Sequence, residues 1–166
     1  SMQPEGGSDC CDVVSDMLPW KGRLKLATWN CRSLFGTDLA LVADKKAKLR
    51  LVANLLACAD VVGLQETHGQ CESLDILRRR HSSHSFWGSF PLDRRSGGVV
   101  VAISAKLLGL ATSVRFFDFG DLDPRYKGRV CSVLLGFGAC MVEFIVVHAE
   151  PAWSRGEANA LWLCLK

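Results

Sequence analysis

LKLATWNCRSLFGTDLALVADKKAKLRLVANLLACADVVGLQE, residues 24–66, carries the periodicities from which the architecture follows. In its first part Leu24, Leu26 and Thr28 alternate with Lys25, Ala27 and Trp29, the period-2 pattern of a strand, which closes at Asn30. A loop runs through Gly36. Thr37 or Asp38 then caps a helix whose apolar positions Leu39, Val42, Leu49, Val52, Ala53 and Leu56 recur at helical spacing as far as Ala57. After Ala59-Asp60 the run Val61-Val62-Gly63-Leu64 is apolar on both parities, as expected of a central strand covered on both faces, and it ends in Gln65-Glu66. Strand, helix, strand is a βαβ unit, in which the two strands lie parallel and the crossover is right-handed. Parallel strands bring their carboxyl ends to one rim, so Asn30 and Glu66 are expected to converge where α/β folds bind ligands.

Working outward, residues 72–80 predict a short helix with a basic exit at Arg78-Arg79-Arg80, and the chain then turns to β structure. Strands are predicted over 84–90, 98–104, 111–118, 129–136 and 140–148. Their linkers carry turn chemistry, Ser96-Gly97-Gly98, Gly120-Asp121 with Asp123-Pro124, and Gly136 with Gly138, so consecutive strands are expected to run antiparallel. A final helix is predicted after Pro151, with Trp153, Leu161, Trp162 and Leu163 as its apolar material. Residues 1–22, rich in Gly, Ser and Asp, predict a flexible tail in which Ser1 before Met2 reads as a cloning remnant; residues 23–166 form the ordered part.

Composition narrows the classes. With 49% hydrophobic and 22% charged residues the chain can bury a core and is not a disordered segment. A net charge of +3 does not by itself announce a polyanion partner, although 12 of the 20 cations are arginine, the better bidentate ligand for phosphate. No 18-residue apolar run exists, which excludes a transmembrane helix. Cys31, Cys58, Cys71, Cys131, Cys140 and Cys164 are scattered through apolar segments and read as reduced thiols, so the compartment is expected to be intracellular and reducing. Cys71, His81 and His84 lack the fourth ligand of a zinc site. Trp87 and Phe90 sit at strand spacing, which suits core packing better than base stacking.

Five stretches then occur in order: Thr28-Trp29-Asn30-Cys31-Arg32, Leu64-Gln65-Glu66-Thr67-His68, Gly97-Gly98-Val99-Val100-Val101-Ala102-Ile103, Gly128-Arg129-Val130, and Val147-His148-Ala149-Glu150-Pro151. Together they resemble the landmarks of the endonuclease/exonuclease/phosphatase superfamily, whose fold is deoxyribonuclease I-like, over residues 24–166. The most similar branch is the apurinic-type endonuclease domain of non-LTR retroelements. The resemblance implies an α/β (α+β) fold, part of a four-layer α/β/β/α sandwich truncated at about its midpoint. It also implies a DNA-nicking phosphodiesterase dependent on Mg²⁺ or Mn²⁺, with DNA or RNA as partner and a nuclear location.

By that resemblance Glu66 is a metal ligand, Asn30 assists the metal or orients water and phosphate, and His148 polarises or protonates the scissile phosphate. A lone carboxylate completed by water and phosphate is a usual Mg²⁺ arrangement. A carboxamide offers both donor and acceptor, and an imidazole titrates near neutrality. Arg32, Arg94 and Arg95 are candidates for the nucleic-acid backbone. Read without the resemblance, Asn30 is equally an Asx turn, His148 a histidine at a core edge and each arginine a solvated side chain. The family's Asp-x-Asn and final Asp-His motifs do not occur after His148, and Glu150 stands where a small residue is expected. Half of the site is therefore expected here, with little activity alone and an uncovered sheet face that favours dimerisation. A same-fold phosphatase, an RNA-tail nuclease or a non-catalytic nucleic-acid-binding piece remain alternatives.

Overall fold

The computed structural model describes residues 23–36, 42–92 and 97–149. Strand β1 (Leu26–Asn30) and strand β2 (Val61–Gln65) flank helix α1 (Val42–Cys58), and the two strands pair parallel, with Leu26 opposite Val61 and Asn30 opposite Gln65. The predicted βαβ unit is thus formed, and its register brings both carboxyl ends to the same margin. Helix α2 (Ser73–Arg80) and strand β3 (His84–Ser89) follow, then strand β4 (Val99–Ser104). β4 inserts between β2 and β3, antiparallel to both, so the first sheet has the order β1-β2-β4-β3.

Ser104 ends β4 and caps a four-residue helix, α3 (Ala105–Leu108), by accepting from the Leu107 N–H at 3.2 Å. The chain then leaves the first sheet. Strands β5 (Ser113–Asp118), β6 (Val130–Phe137) and β7 (Cys140–Val147) make a separate antiparallel meander. Between β5 and β6 the chain makes two short 3₁₀ turns, each capped by an aspartate: the Asp118 carboxylate accepts from Gly120 N–H and that of Asp123 from Arg125 N–H.

Side-chain parity explains why β2 and β4 lack an alternating pattern. Val62, Leu64, Val100 and Ala102 pack on the helix side with Val52 and Leu56 of α1 and Leu74 and Leu77 of α2. Val61, Val99, Val101 and Ile103 face the second sheet and meet Cys131, Val133, Leu135, Phe137 and Val146. The order is helices, first sheet, second sheet, with one core on each side of the first sheet. Gly63 lies where the sheets approach closely: a Cβ there would stand 2.9 Å from Val146 Cγ2. Fully buried Leu64 belongs to the helix-side core, and Leu64→Ala is expected to cost about 2–5 kcal/mol.

The mixed α/β fold with two sheets is the one read from the sequence. The described residues supply three of the four expected layers. Where a further layer would lie, on the outer face of the second sheet, Phe117, Met141 and Ile145 are exposed. Trp87 and Phe90 are core residues, packed against opposite sides of the first sheet. The predicted tail, Arg94 and Arg95, and the helix after Pro151 lie outside the described residues.

Candidate active site

The first sheet's pairing outlasts its strands. Beyond β1, Cys31 N–H donates to Gln65 C=O at 2.8 Å, Ser33 N–H to Glu66 C=O at 2.7 Å and Phe35 N–H to Thr67 C=O at 2.8 Å. These bonds stitch the loop after β1 alongside the loop after β2. On the other side Thr67 N–H donates to Gly98 C=O at 3.0 Å and His68 N–H to Gly97 C=O at 2.9 Å. Arg32, Ser33, Glu66 and His68, with φ of 43°, 72°, 51° and 51°, are the non-glycine residues of positive φ among the described residues. Each costs about 1–2 kcal/mol. Strain confined to two adjoining loops is held by the surrounding hydrogen bonds and is typical of a functional rim.

β7 delivers the third group to this rim. Gln65 Nε2 donates to Val147 C=O at 2.8 Å and His148 N–H donates to Arg129 C=O at 2.7 Å. The result is that His148 Nε2 stands 3.5 Å from Glu66 Oε1, with side-chain exposures of 11% and 29%. Burial holds the His148 imidazole below its ordinary pKa; Glu66 opposes this, while Arg129 and His68 add to it. Near neutral pH the ring is therefore uncharged, and the contact with Glu66 is a polar approach rather than a full ion pair.

Asn30 makes the Asx turn weighed from sequence: its Oδ1 accepts from the Arg32 N–H at 3.1 Å. The turn leaves the amide donors of its exposed side chain available at the rim, so the structural and functional readings coexist. Arg32 is exposed beside Asn30, and its carbonyl accepts from Lys48 Nζ at 2.6 Å, which also pairs with Asp44 at 2.8 Å. Of the six sequence-predicted site residues the structure thus brings Asn30, Arg32, Glu66 and His148 to one margin.

Three residues at this margin carried no separate functional signal. Gln65 ties β2 to the end of β7, Lys48 reaches from α1 to the loop after β1, and Arg129 is buried behind His148. Gln65 and Arg129 stood inside quoted motifs, but nothing in their spacing announces burial. Thr67 Oγ1 is buried without a hydrogen-bond partner, pressed against Gly98.

Asn30 and Glu66 offer hard oxygen donors, one neutral and one a partly exposed carboxylate. Among the described residues no three His, Cys, Asp or Glu side chains gather as a metal-holding group. The donor set suits a cation that keeps several waters, as Mg²⁺ does, and not a caged zinc. His84 is occupied elsewhere: its ring nitrogens face Ser83 Oγ at 3.0 Å and Ala59 C=O at 3.3 Å.

Two parallel strand ends, a strained pair of loops and a carboxylate–imidazole approach thus share one rim. The model of the endonuclease/exonuclease/phosphatase family matches residues 27–165, and the chain belongs to that family. No match was found among curated proteins. Among the solved structures that share the fold, three are of particular interest. They are an AP endonuclease, LMAP, from Leishmania major (17% identity, TM-score 0.57, covering 95% of this chain and 52% of that one); the 3′ phosphatase NExo from Neisseria bound to product DNA hairpin (19%, 0.55, 86% and 49%); and D. rerio TDP2 complexed with single strand DNA product (16%, 0.51, 86% and 52%). The chain spans about half the length of each.

Proposed function

We propose that this chain carries the amino-terminal part of the active site of a Mg²⁺-dependent phosphodiesterase that nicks DNA. The observation that carries the reading is the meeting of Glu66 and His148, from strands of different sheets, at 3.5 Å on the rim where Asn30 also ends its strand. Glu66 and Asn30 would hold the divalent ion, which when bound supplies Lewis-acid polarisation of a phosphoryl oxygen. Asn30 uses its amide protons to orient water or a phosphate oxygen. His148, kept neutral by burial, acts as a hydrogen-bond donor to phosphate rather than as a proton reservoir at pH 7.

DNA is favoured as substrate because two of the similar structures hold DNA products, and because exposed Arg32 stands beside the site. Arg94 and Arg95 are proposed as further backbone contacts. A retroelement endonuclease working in the nucleus is the context suggested by Thr28-Trp29-Asn30-Cys31-Arg32, and self-association through the uncovered sheet face is part of the same proposal. Among the described residues no helix is long and apolar enough to cross a membrane. A phosphatase acting on DNA ends is the second reading, favoured by the likeness to a 3′ phosphatase.

The test is plasmid nicking and 3′-phosphate release by the chain and by any longer polypeptide that carries it, with Mg²⁺ or with EDTA. Nicking that needs Mg²⁺ and falls about 10³-fold or more in Glu66→Ala supports the proposal. Phosphate release without nicking selects the second reading. Cleavage indifferent to EDTA and to Glu66→Ala refutes both, and salt-dependent DNA binding with no cleavage in any form marks a non-catalytic binding piece.

A further inference from the structure

Ser89, the last residue of β3, is fully buried. Its hydroxyl donates to Asp118 Oδ1 at 2.7 Å and accepts from the Gly128 N–H at 2.7 Å. The two bonds depend on each other. A hydroxyl has a single proton, and a carboxylate only accepts; with the proton drawn to Asp118, a lone pair is left facing Gly128. Asp118 is itself fixed, taking the Gly120 N–H on Oδ1 at 2.9 Å and Lys127 Nζ on Oδ2 at 2.6 Å.

Gly128 and Arg129 are the dipeptide on which both halves of the Glu66–His148 approach hang. Gly128 C=O accepts from Gly98 N–H at 2.8 Å, and the Gly97-Gly98 turn in turn holds the amides of Thr67 and His68, next to Glu66. Arg129 C=O accepts from His148 N–H at 2.7 Å. One buried hydroxyl therefore anchors the Gly128-Arg129 segment, from which two strands of contacts run, one to each member of the pair.

We infer that Ser89 and Asp118 are positioning residues: they fix Gly128-Arg129 and through it the separation of Glu66 from His148. That this separation governs catalysis rests on the phosphodiesterase reading above; that the relay governs the geometry does not.

Amide hydrogen exchange in the full chain tests the geometry. In Ser89→Ala, the amides of Gly128, Gly98, Thr67 and His148 should exchange about tenfold faster or more, the loss expected for a buried hydrogen bond, while Val62 and Leu56 in the helix-side core stay protected. Asp118→Ala, an independent variant should Ser89→Ala not fold, should give the same pattern. Asp118→Asn, which keeps an oxygen acceptor for Ser89, should restore most of the protection. In a polypeptide that cleaves DNA, the two alanine variants should lower kcat about 10- to 100-fold with KM little changed, and Asp118→Asn should recover it. Unchanged exchange at the four amides, or exchange that rises equally at Val62 and Leu56, overturns the inference. So does wild-type kcat in both alanine variants. Local loss of protection with no cleavage by any form leaves the relay standing and removes the phosphodiesterase reading instead.

Discussion

Gly98→Ala should be among the most damaging single-atom-scale changes in the molecule, and its cost can be divided in advance. Gly98 has φ +85°, and an added Cβ would lie 2.4 Å from Thr67 Oγ1 and 3.2 Å from His68 N. Two penalties follow. Holding an L-residue at positive φ costs about 1–2 kcal/mol. Forcing the methyl against a fully buried threonine costs about 1–3 kcal/mol more, because Gly98 is tied on both sides, to Gly128 C=O and to Thr67 N–H, and cannot retreat. The sum, about 2–5 kcal/mol, is a large share of the stability of an ordinary domain. Urea unfolding followed by tryptophan fluorescence should show the midpoint falling by about 1–3 M with the slope unchanged. Repeating the substitution in a Thr67→Ala background removes the atom that is struck, so only the backbone part, about 1–2 kcal/mol, should remain. A loss below about 0.5 kcal/mol in the native background, or the same loss in both backgrounds, would refute the reasoning.

Three further outcomes are expected. Burial, with Arg80 and His84 adding to it, lowers the pKa of His81 from its ordinary 6.5, so the folded state favours the neutral ring. The stability tied to it is complete above about pH 6.5 and lost as pH falls below that value; His81→Gln should flatten this slope in urea titrations between about pH 7 and 5. Burial also raises the thiols of Cys31 and Cys131 to about 12, whereas Cys58 and Cys71 are exposed, so mass spectrometry after native alkylation should find label on Cys58 and Cys71 well before Cys31 and Cys131; early label on Cys31 would contradict the packing. Leu26, 63% exposed, lines an apolar groove of about 500 Å³ with Ile145 and Val147 at the open margin of the two sheets. Leu26→Lys should leave stability within about 0.5 kcal/mol but reduce self-association in sedimentation runs, and an unchanged association constant would remove this margin as the contact.

The elements that the sequence announced are those whose environment is uniform along their length. β2 is covered on both faces, so its run of apolar residues reads directly, and β1 closes at a polar residue because the rim begins there. Pairing order was less visible. β4 lies between β2 and β3 although β3 precedes it in the chain, a choice made by two-sided packing of Val99–Ser104 that no local signal encodes. The change of sheet after Ser104 was also hidden, since α3 is too short to show a period. At the site, Asn30, Glu66 and His148 could be singled out because each ends a strand or directly follows one. Ser89 and Arg129 could not, because a polar residue in or just before a strand looks solvated until its partners are placed. The positive φ of Glu66 and His68 likewise depends on hydrogen bonds to the distant Gly97-Gly98 turn.

One rim gathers Asn30, Glu66 and His148, and the proposed function needs it to hold a hard divalent cation. Paramagnetic relaxation by Mn²⁺, read on the amide and imidazole signals of the chain, tests it without requiring turnover. Saturable broadening centred on Asn30, Glu66 and His148, displaced by excess Mg²⁺ and abolished in Glu66→Gln, is expected. Broadening centred elsewhere, or unchanged in Glu66→Gln, would contradict it.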